Sequence, residues 1–278
     1  MAETNSLERA LVLLKVIEQT PGGLRNADIS RILKIPKSSC SYIVSRLERE
    51  GYLIKDAVSK RYKIGLTPVG LAHGALREIG IRTVAEPALY KLTSQTGLSA
   101  GIGVLQRGRV LLVDRVEGPR FVDRAIEFAA GQTIRSDAAA PYRVRAQRDI
   151  GRELPAHSTA LGKVLLAFLP RQQVLNLIGK HGLARSTKTT VVSKRRLLAE
   201  LDLVRKQRYA ISNGEVYPDL RALSVPIFDT DGEVRAAVSV NGNPLEAVWD
   251  DVPELVRTVE EAVRDISRRA RILLPFTG

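Results

Sequence analysis

The sequence predicts an α+β chain in two parts: a mainly helical N-terminal part that carries a β-hairpin, and a longer part of antiparallel strands flanked by helices. Three observations predict it. Apolar residues recur at helical intervals through residues 6–50, in three runs separated by two short breaks. Two β-prone runs then surround a charged turn between residues 52 and 64. Beyond residue 98, strand-like and helical runs follow one another without the regular βαβ alternation of a parallel sheet. With 278 residues, 44% of them hydrophobic, the chain can bury two cores.

In "SLERALVLLKVIEQTPGG", Leu7, Ala10, Leu11, Leu14 and Ile17 keep helical spacing, with Ser6 as N-cap and Pro21-Gly22-Gly23 as the stop. "NADISRILKI" follows, with Asn26 as N-cap and Ala27, Ile29, Ile32 and Leu33 over two turns. After the break at "KIPK", Lys37 or Ser38 opens a helix that ends against Gly51. Cys40, Ile43, Val44 and Leu47 form its apolar face. Lys37, Ser38, Ser39, Ser41, Tyr42, Ser45, Arg46 and Arg49 are left facing outward or near the ends. Serine is a mediocre helix former, so local propensity does not account for this choice.

Two short helices joined by a tight turn, the second polar outward, read as a helix-turn-helix. The hairpin of residues 52–55 and 61–64 makes it a winged helix. Short hydroxyls let a helix approach a major groove closely and bond base edges or phosphates. Arg46 is the candidate for bidentate contact with guanine, and Lys37 for a phosphate at the helix start. Lys60, Arg61 and Lys63 on the wing would follow the backbone or minor groove of double-stranded DNA. The bland alternative is a solvated face on a small bundle, which leaves the basic hairpin unexplained.

A net charge of +13 also favours a polyanionic partner. Charge alone does not locate the contact: residues 1–75 hold twelve Lys/Arg against seven Asp/Glu, and residues 163–208 eleven against two. Surplus arginine as a trait of composition is the competing account. The single cysteine, Cys40, excludes an internal disulfide and fits a reducing cytoplasm. Three scattered histidines with one cysteine do not suggest a metal site. "MAETNSLERALVLLKVIEQT" starts acidic and is interrupted by Lys15, unlike a signal peptide. No apolar run approaches the roughly 20 residues that span a bilayer, so no membrane partner is expected. No cofactor is implied either.

"LTPVGLAHGALREIG" opens with Thr67 as N-cap and Pro68 at the first helical position, and carries an apolar stripe through Val69, Leu71, Ala72, Ala75, Leu76 and Ile79. Such a stripe suits a linker helix pairing with its copy in another subunit, or packing on its own domain. "EPALYKLTSQTG" reads as a helix closed by Gly97. "SAGIGVLQRGRVLLVDRVEG" reads as two strands around Gln106-Arg107-Gly108, and "STALGKVLLAFLP" as a helix stopped near Pro170. "SKRRLLAELDLVRKQRYA" is a basic helix, "LRALSVPIFDTDGEVRAAVSVNGN" a hairpin turning on Asp231-Gly232, and "VPELVRTVEEAVRDISRRARIL" a long amphipathic helix. The expected domains are residues 1–66, a linker helix at 67–82, and residues 83–278.

The stretches "SLERALVLLKVI", "ADISRILKIPKSSCSYIVSRLEREGYL", "RYKIGL", "LPAHSTALGKVLLAFLP", "LLAELDLVRKQRYA" and "SVPIFDTDGEVRAAVSVNG", in this order, resemble the IclR family of bacterial transcription regulators. The resemblance spans nearly the whole chain. It implies a winged-helix DNA-binding domain, a linker helix and a GAF-like effector-binding domain. It also implies a homodimer or homotetramer, cytoplasmic, controlling a catabolic operon in response to a small organic acid, with repression the expected sign. Two features depart from the family. Asp219 and Ala222 stand where it commonly shows Gly and Cys, and the segment around residues 119–140 is longer than usual. Both bear on the expected pocket, so the usual small keto acids do not carry over.

For the pocket itself, "AHSTALGK" presents a helix start whose free N–H groups around Ala160, Leu161 and Gly162 suit a carboxylate. Ser239 and Asn241 share one face of a strand and add hydrogen-bonding groups; Ser212 and Ala222 complete the set. Each has a plain alternative: tight packing for Gly162, a bond within the sheet for Ser239, a turn role for Asn241. His157 reads as a structural hydrogen-bonder. No G-x-S-x-G, P-loop or metal-ligand spacing supports an enzyme, and His157-Ser158 adjacency is no sign of a catalytic pair. A small-molecule hydrolase and a constitutive DNA-binding protein without a ligand are the alternatives.

Overall fold

A computed structural model describes residues 5–78, 80–118, 151 and 153–273, without the side chains of residues 73, 75–78 and 271–273. The chain divides into two compact units, Met1–Ile79 and Gly80–Gly278. The longer segment expected around residues 119–140 lies outside the described residues.

The first unit runs α1 (Ser6–Glu18), α2 (Asn26–Leu33), α3 (Lys37–Arg49), β1 (Leu53–Lys55), β2 (Tyr62–Ile64) and α4 (Thr67–Glu78). Helix α1 is capped one residue earlier than the sequence suggests. Asn5 Oδ1 accepts from the Glu8 N–H at 2.9 Å while Glu8 accepts from the Asn5 N–H at 3.2 Å, a reciprocal capping box. Its apolar run is too wide to reveal its inner side. Leu13 and Ile17 are buried, whereas Leu7 and Leu11 are 67% and 54% exposed.

Asn26 is the first residue of α2, not its cap; its side chain reaches across to α3 and donates to Ser41 Oγ at 2.7 Å. Lys34 turns left-handed (φ 53°) to end α2, and Ile35 N–H donates to Ser30 O at 3.1 Å. That turn sets α3, whose Cys40, Ile43 and Val44 enter a core with Leu13, Ile17, Ile29 and Leu53. Burying such apolar side chains stabilises the unit by about 1.5–3 kcal/mol each. Thr67 lies within α4, and its hydroxyl donates to Glu50 O at 2.8 Å, joining α4 to the end of α3.

The second unit contains α5 (Ile81–Thr96), β3 (Ser99–Gln106), β4 (Arg109–Val116), β5 (Glu153–Pro155), α6 (Ala160–Ala167), α7 (Arg171–His181), α8 (Lys194–Gln207), β6 (Ala210–Asn213), β7 (Arg221–Phe228), β8 (Val234–Gly242) and α9 (Val252–Leu273). The strands form one antiparallel sheet in the order β5-β4-β3-β8-β7-β6. Arg107 and Gly108, both at positive φ (51° and 81°), form the two-residue β3–β4 turn, whose twist suits a hairpin. Helix α5 starts before its expected 86–97 span and carries Pro87 inside.

Helices α5 and α9 pack together and onto β3 and β7, and α6 packs on β7, β8 and β3 with α8 beside it. On β8, Ala237 joins the α6 cluster, so the fully buried Val238 and Val240 point to the other face. The sheet is thus covered on both sides.

Candidate functional site

The outward face of α3 is as the spacing predicts. Lys37, Ser38, Ser41, Tyr42, Ser45, Arg46 and Arg49 are exposed, and Ser39 is half-buried. The Arg46 guanidinium lies 5.3 Å from the centre of the Tyr42 ring, a cation–π contact that holds both extended from the helix. Among the described residues Arg49 pairs with exposed Glu50 at 3.4 Å, an ion pair worth little in water. Pro36 precedes α3 without a side-chain cap, leaving the first-turn N–H groups available to an anion.

The wing is organised by Asp56. Its carboxylate accepts from the N–H groups of Val58 and Ser59 at 3.1 and 2.7 Å and from the Ser59 hydroxyl at 2.8 Å. These bonds, chiefly that of the Ser59 N–H, hold its carboxyl below the usual aspartate range. Lys60 projects from a left-handed backbone (φ 56°) and is exposed; Lys63 is also exposed, 3.9 Å from Asp56. Arg61 differs. Half-buried, it donates to Gly23 O at 2.8 Å and braces the hairpin against the α1–α2 connection.

In the second unit, Leu112, Arg115, Leu154, Thr159, Ala160, Leu161, Ser212, Val216, Tyr217, Leu220, Ala222, Ser239 and Asn241 line a cleft of about 530 Å³, its open mouth included. Sheet register brings them together. Ser212 pairs with Ala222, Ala222 with Asn241, Ser239 with Gly101, and Gly101 with Arg115. Paired residues share a face, so five strands contribute to one wall. Six of the seven residues expected there line it. Gly162 does not: a Cβ there would stand 2.2 Å from Ala156 O, so the position serves close packing of α6 on the preceding loop.

Sequence reasoning missed Arg115. Its side chain, 5% exposed, donates through Nε to Glu117 at 2.6 Å and through Nη2 to Asn241 Oδ1 at 3.1 Å. It crosses β3 over Gly101, which has no side chain to obstruct it. The signal was present only as a strand arginine opposite a glycine, and nothing local announces that pairing. Ser99 adds a hydroxyl bond to Glu117 at 2.8 Å.

Behind the cleft, Lys163 of α6 is 3% exposed and donates to Glu215 and, at 2.8 Å, to Glu200. Burial outweighs the pull of Lys163 and holds the Glu215 carboxyl above the ordinary glutamate range. Glu215 adjoins Val216 and Tyr217 of the cleft wall, and the hydroxyls of Thr187 and Thr190 hold the carbonyls of Gly214 and Glu215, each at 2.7 Å. His157 donates from Nε2 to Ala184 O at 3.0 Å, and burial pushes its pKa down, leaving a neutral ring. Ser158 beside it is fully buried. Among the described residues no cluster of three or more His, Cys, Asp or Glu side chains is arranged for a metal, and no helix is long and apolar enough to cross a membrane.

Comparison with known proteins matches both parts. Residues 6–57 fit the IclR helix-turn-helix domain, and residues 136–268 the domain described as bacterial transcriptional regulator IclR C-terminal. The chain belongs to the IclR family of bacterial transcriptional regulators. This IclR-family chain is 28% identical to the HTH-type transcriptional regulator XynR of Escherichia coli K12 over 236 residues, covering 85% of each. The crystal structure of the Thermotoga maritima IclR matches with a TM-score of 0.66 at 26% identity, over 95% of this chain and 98% of that one. An IclR homologue from Microbacterium hydrocarbonoxydans, crystallised with 4-hydroxybenzoate, has the same fold: TM-score 0.73, 21% identity, 96% of this chain and all of that one. Members of the family are DNA-binding regulators rather than enzymes, and the helix-turn-helix unit is the part that binds DNA.

Proposed function

We propose that this chain is an effector-responsive regulator of a catabolic operon. It reads a pseudo-palindromic operator through α3 and the wing and senses a small organic acid in the cleft of the second unit. The observation that carries the DNA reading is the division of α3: its apolar side is consumed by the core, and its other side offers hydroxyls, Tyr42 and a stacked Arg46. Lys37, Ser38 and Ser39 at the helix start hold phosphate, Arg46 reads a base, and Lys60 and Lys63 follow the backbone. Arg61 serves mainly to place the wing.

A homodimer or homotetramer fits both the two-fold operator and α4, where Val69 and Leu71 are 62% and 58% exposed in the single chain. The protein works in the cytoplasm, where its DNA is, and catalyses nothing: Ser158 is shut in and His157 is committed to a carbonyl. The effector favours one of two DNA-binding states and shifts their populations.

Selection from a random duplex pool, followed by anisotropy titration with and without organic acids, tests this. An enriched inverted repeat whose affinity changes with an acid is expected. Ser239→Phe, which fills the cleft, should abolish the change. A repeat bound with the same affinity under every acid would leave a constitutive DNA-binding protein instead.

A further inference from the structure

A second cavity in the second unit, of about 530 Å³ with its open mouth included, shares no lining residue with the cleft. It is bounded by the β3–β4 turn at Gly108 and Arg109, by residues 155–157, and by the end of α7 with the chain that follows it to Ala184. A Cβ at Gly108 would stand 2.6 Å from Leu177 Cδ2 and 3.0 Å from the His181 ring, so α7 closes on a turn left bare by glycine. The walls are mainly hydrocarbon. Leu166 belongs to the buried core, whereas Leu177, Ile178 and Leu183 are only partly buried where they border the space.

One polar atom interrupts that surface. His157 lines the cavity, is 7% exposed, and donates from Nε2 to Ala184 O at 3.0 Å. A carbonyl only accepts, so Nε2 carries the hydrogen, and in the neutral ring Nδ1 is then a lone pair. No described residue bonds to Nδ1. A buried acceptor without a donor is unusual in a folded chain. Charge at the rim is matched, since Arg109 pairs with Glu153 at 3.5 Å. A carboxylate inside would meet the Nδ1 lone pair, and an ammonium would approach Arg109. A neutral O–H meets neither obstacle and supplies the missing donor.

We propose that this cavity is a second small-molecule site, for a compact neutral hydroxyl compound, a phenol or a cyclic alcohol. The ligand O–H donates to His157 Nδ1, and its ring lies on Leu166, Leu177 and Ile178. Apolar cavities of about 150 Å³ already hold a benzene ring, so a single ring fits the space. A sugar would press several unpaired hydroxyls against leucine and isoleucine. The site is independent of the acid-sensing reading of the cleft.

The full chain labelled with ¹⁵N-histidine, titrated with phenol and cyclohexanol, tests this directly. It contains only three histidines, so His157 is assigned by elimination in His73→Gln and His181→Gln. Both alcohols should move the His157 Nδ1 resonance to a plateau. Toluene, of the same size without the hydroxyl, should bind about ten-fold weaker and leave that resonance in place. The response should persist in Ser239→Phe, which fills the cleft, and be lost in Ala184→Trp, which obstructs this cavity at an exposed position. An Nδ1 signal unmoved at saturating phenol would overturn the seat. Benzoate or benzylamine outranking phenol at this resonance would overturn the ligand class. A response lost in Ser239→Phe and kept in Ala184→Trp would place the ligand in the cleft and remove the site. Absence of any binding by phenol or cyclohexanol also removes it, while the reading of the cleft stands. The spectra of the unaltered chain decide the matter even if a variant does not fold.

Discussion

Serines do opposite work on α3 and in the cleft unit. Ser38, Ser41 and Ser45 on α3 are exposed, Ser41 also accepting from the Asn26 side chain, and Ser39 is half-buried. On the sheet, Ser99, Ser212, Ser224 and Ser239 are at most 6% exposed. Three of these have a fixed partner: Glu117 for Ser99, Ser158 O for Ser212 and Val238 O for Ser224. On the helix a serine keeps a surface low and polar for something to approach. Inside the sheet it satisfies a buried polar neighbour at small volume. The same residue type therefore keeps its hydroxyl on the surface in one unit and commits it to internal bonds in the other.

If the cleft depends on tight internal fit and the α3 face on open chemistry, substitutions should separate by readout. The largest effect is expected at Gly162→Val, whose side chain would collide with the Ala156 backbone, 2.2–2.6 Å from the new Cβ. It should cost about 3 kcal/mol or more, measured by denaturant unfolding of the second unit. Lys163→Met should cost about 3 kcal/mol by leaving Glu215 buried without its cation, and adding Glu215→Gln should recover most of the loss.

That second deficit depends on pH. The Glu215 carboxyl is already raised in the folded state, so the stability it contributes is whole below the unfolded glutamate value and falls as pH rises through the folded value. Losing Lys163 raises the folded value further. The deficit should be greatest at neutral pH and shrink towards the unfolded glutamate value; a deficit independent of pH would contradict this.

Changes on α3 should leave melting alone. Arg46→Ala should lose about 1–3 kcal/mol of affinity for the selected operator and relax one base position, checked by titrating single-base variants. Smallest in magnitude, Lys60→Ala should weaken all sequences alike and flatten the salt slope by about one unit. A Lys60→Ala protein that lost a single base preference would blur the distinction between base-reading helix and backbone-following wing.

Much of the first unit was legible because its information is local. Periodicity placed α3 within a residue of its observed start and put Cys40, Ile43 and Val44 inside. It misjudged α1, where Leu7 and Leu11 belong to an apolar run wider than the buried stripe. Asn26 was read as a cap because caps are local chemistry, whereas its bond to Ser41 spans two helices. In the second unit, the free N–H groups of α6 were legible, since any helix start leaves them. Arg115 was not, because its partner on β8 is 126 positions away in the chain.

By itself the sequence determined the order of helices and strands, the polar side of α3, the basic wing and the family. These follow from spacing, capping and turn chemistry within a few residues of chain. Tertiary structure alone decided that Arg115 is paired with Glu117 in the cleft wall, that Arg61 braces the wing, and that Gly162 allows α6 to pack closely on the preceding loop. Those outcomes depend on strand register and close approach between distant segments, where a shift of one residue would turn each side chain to the opposite face.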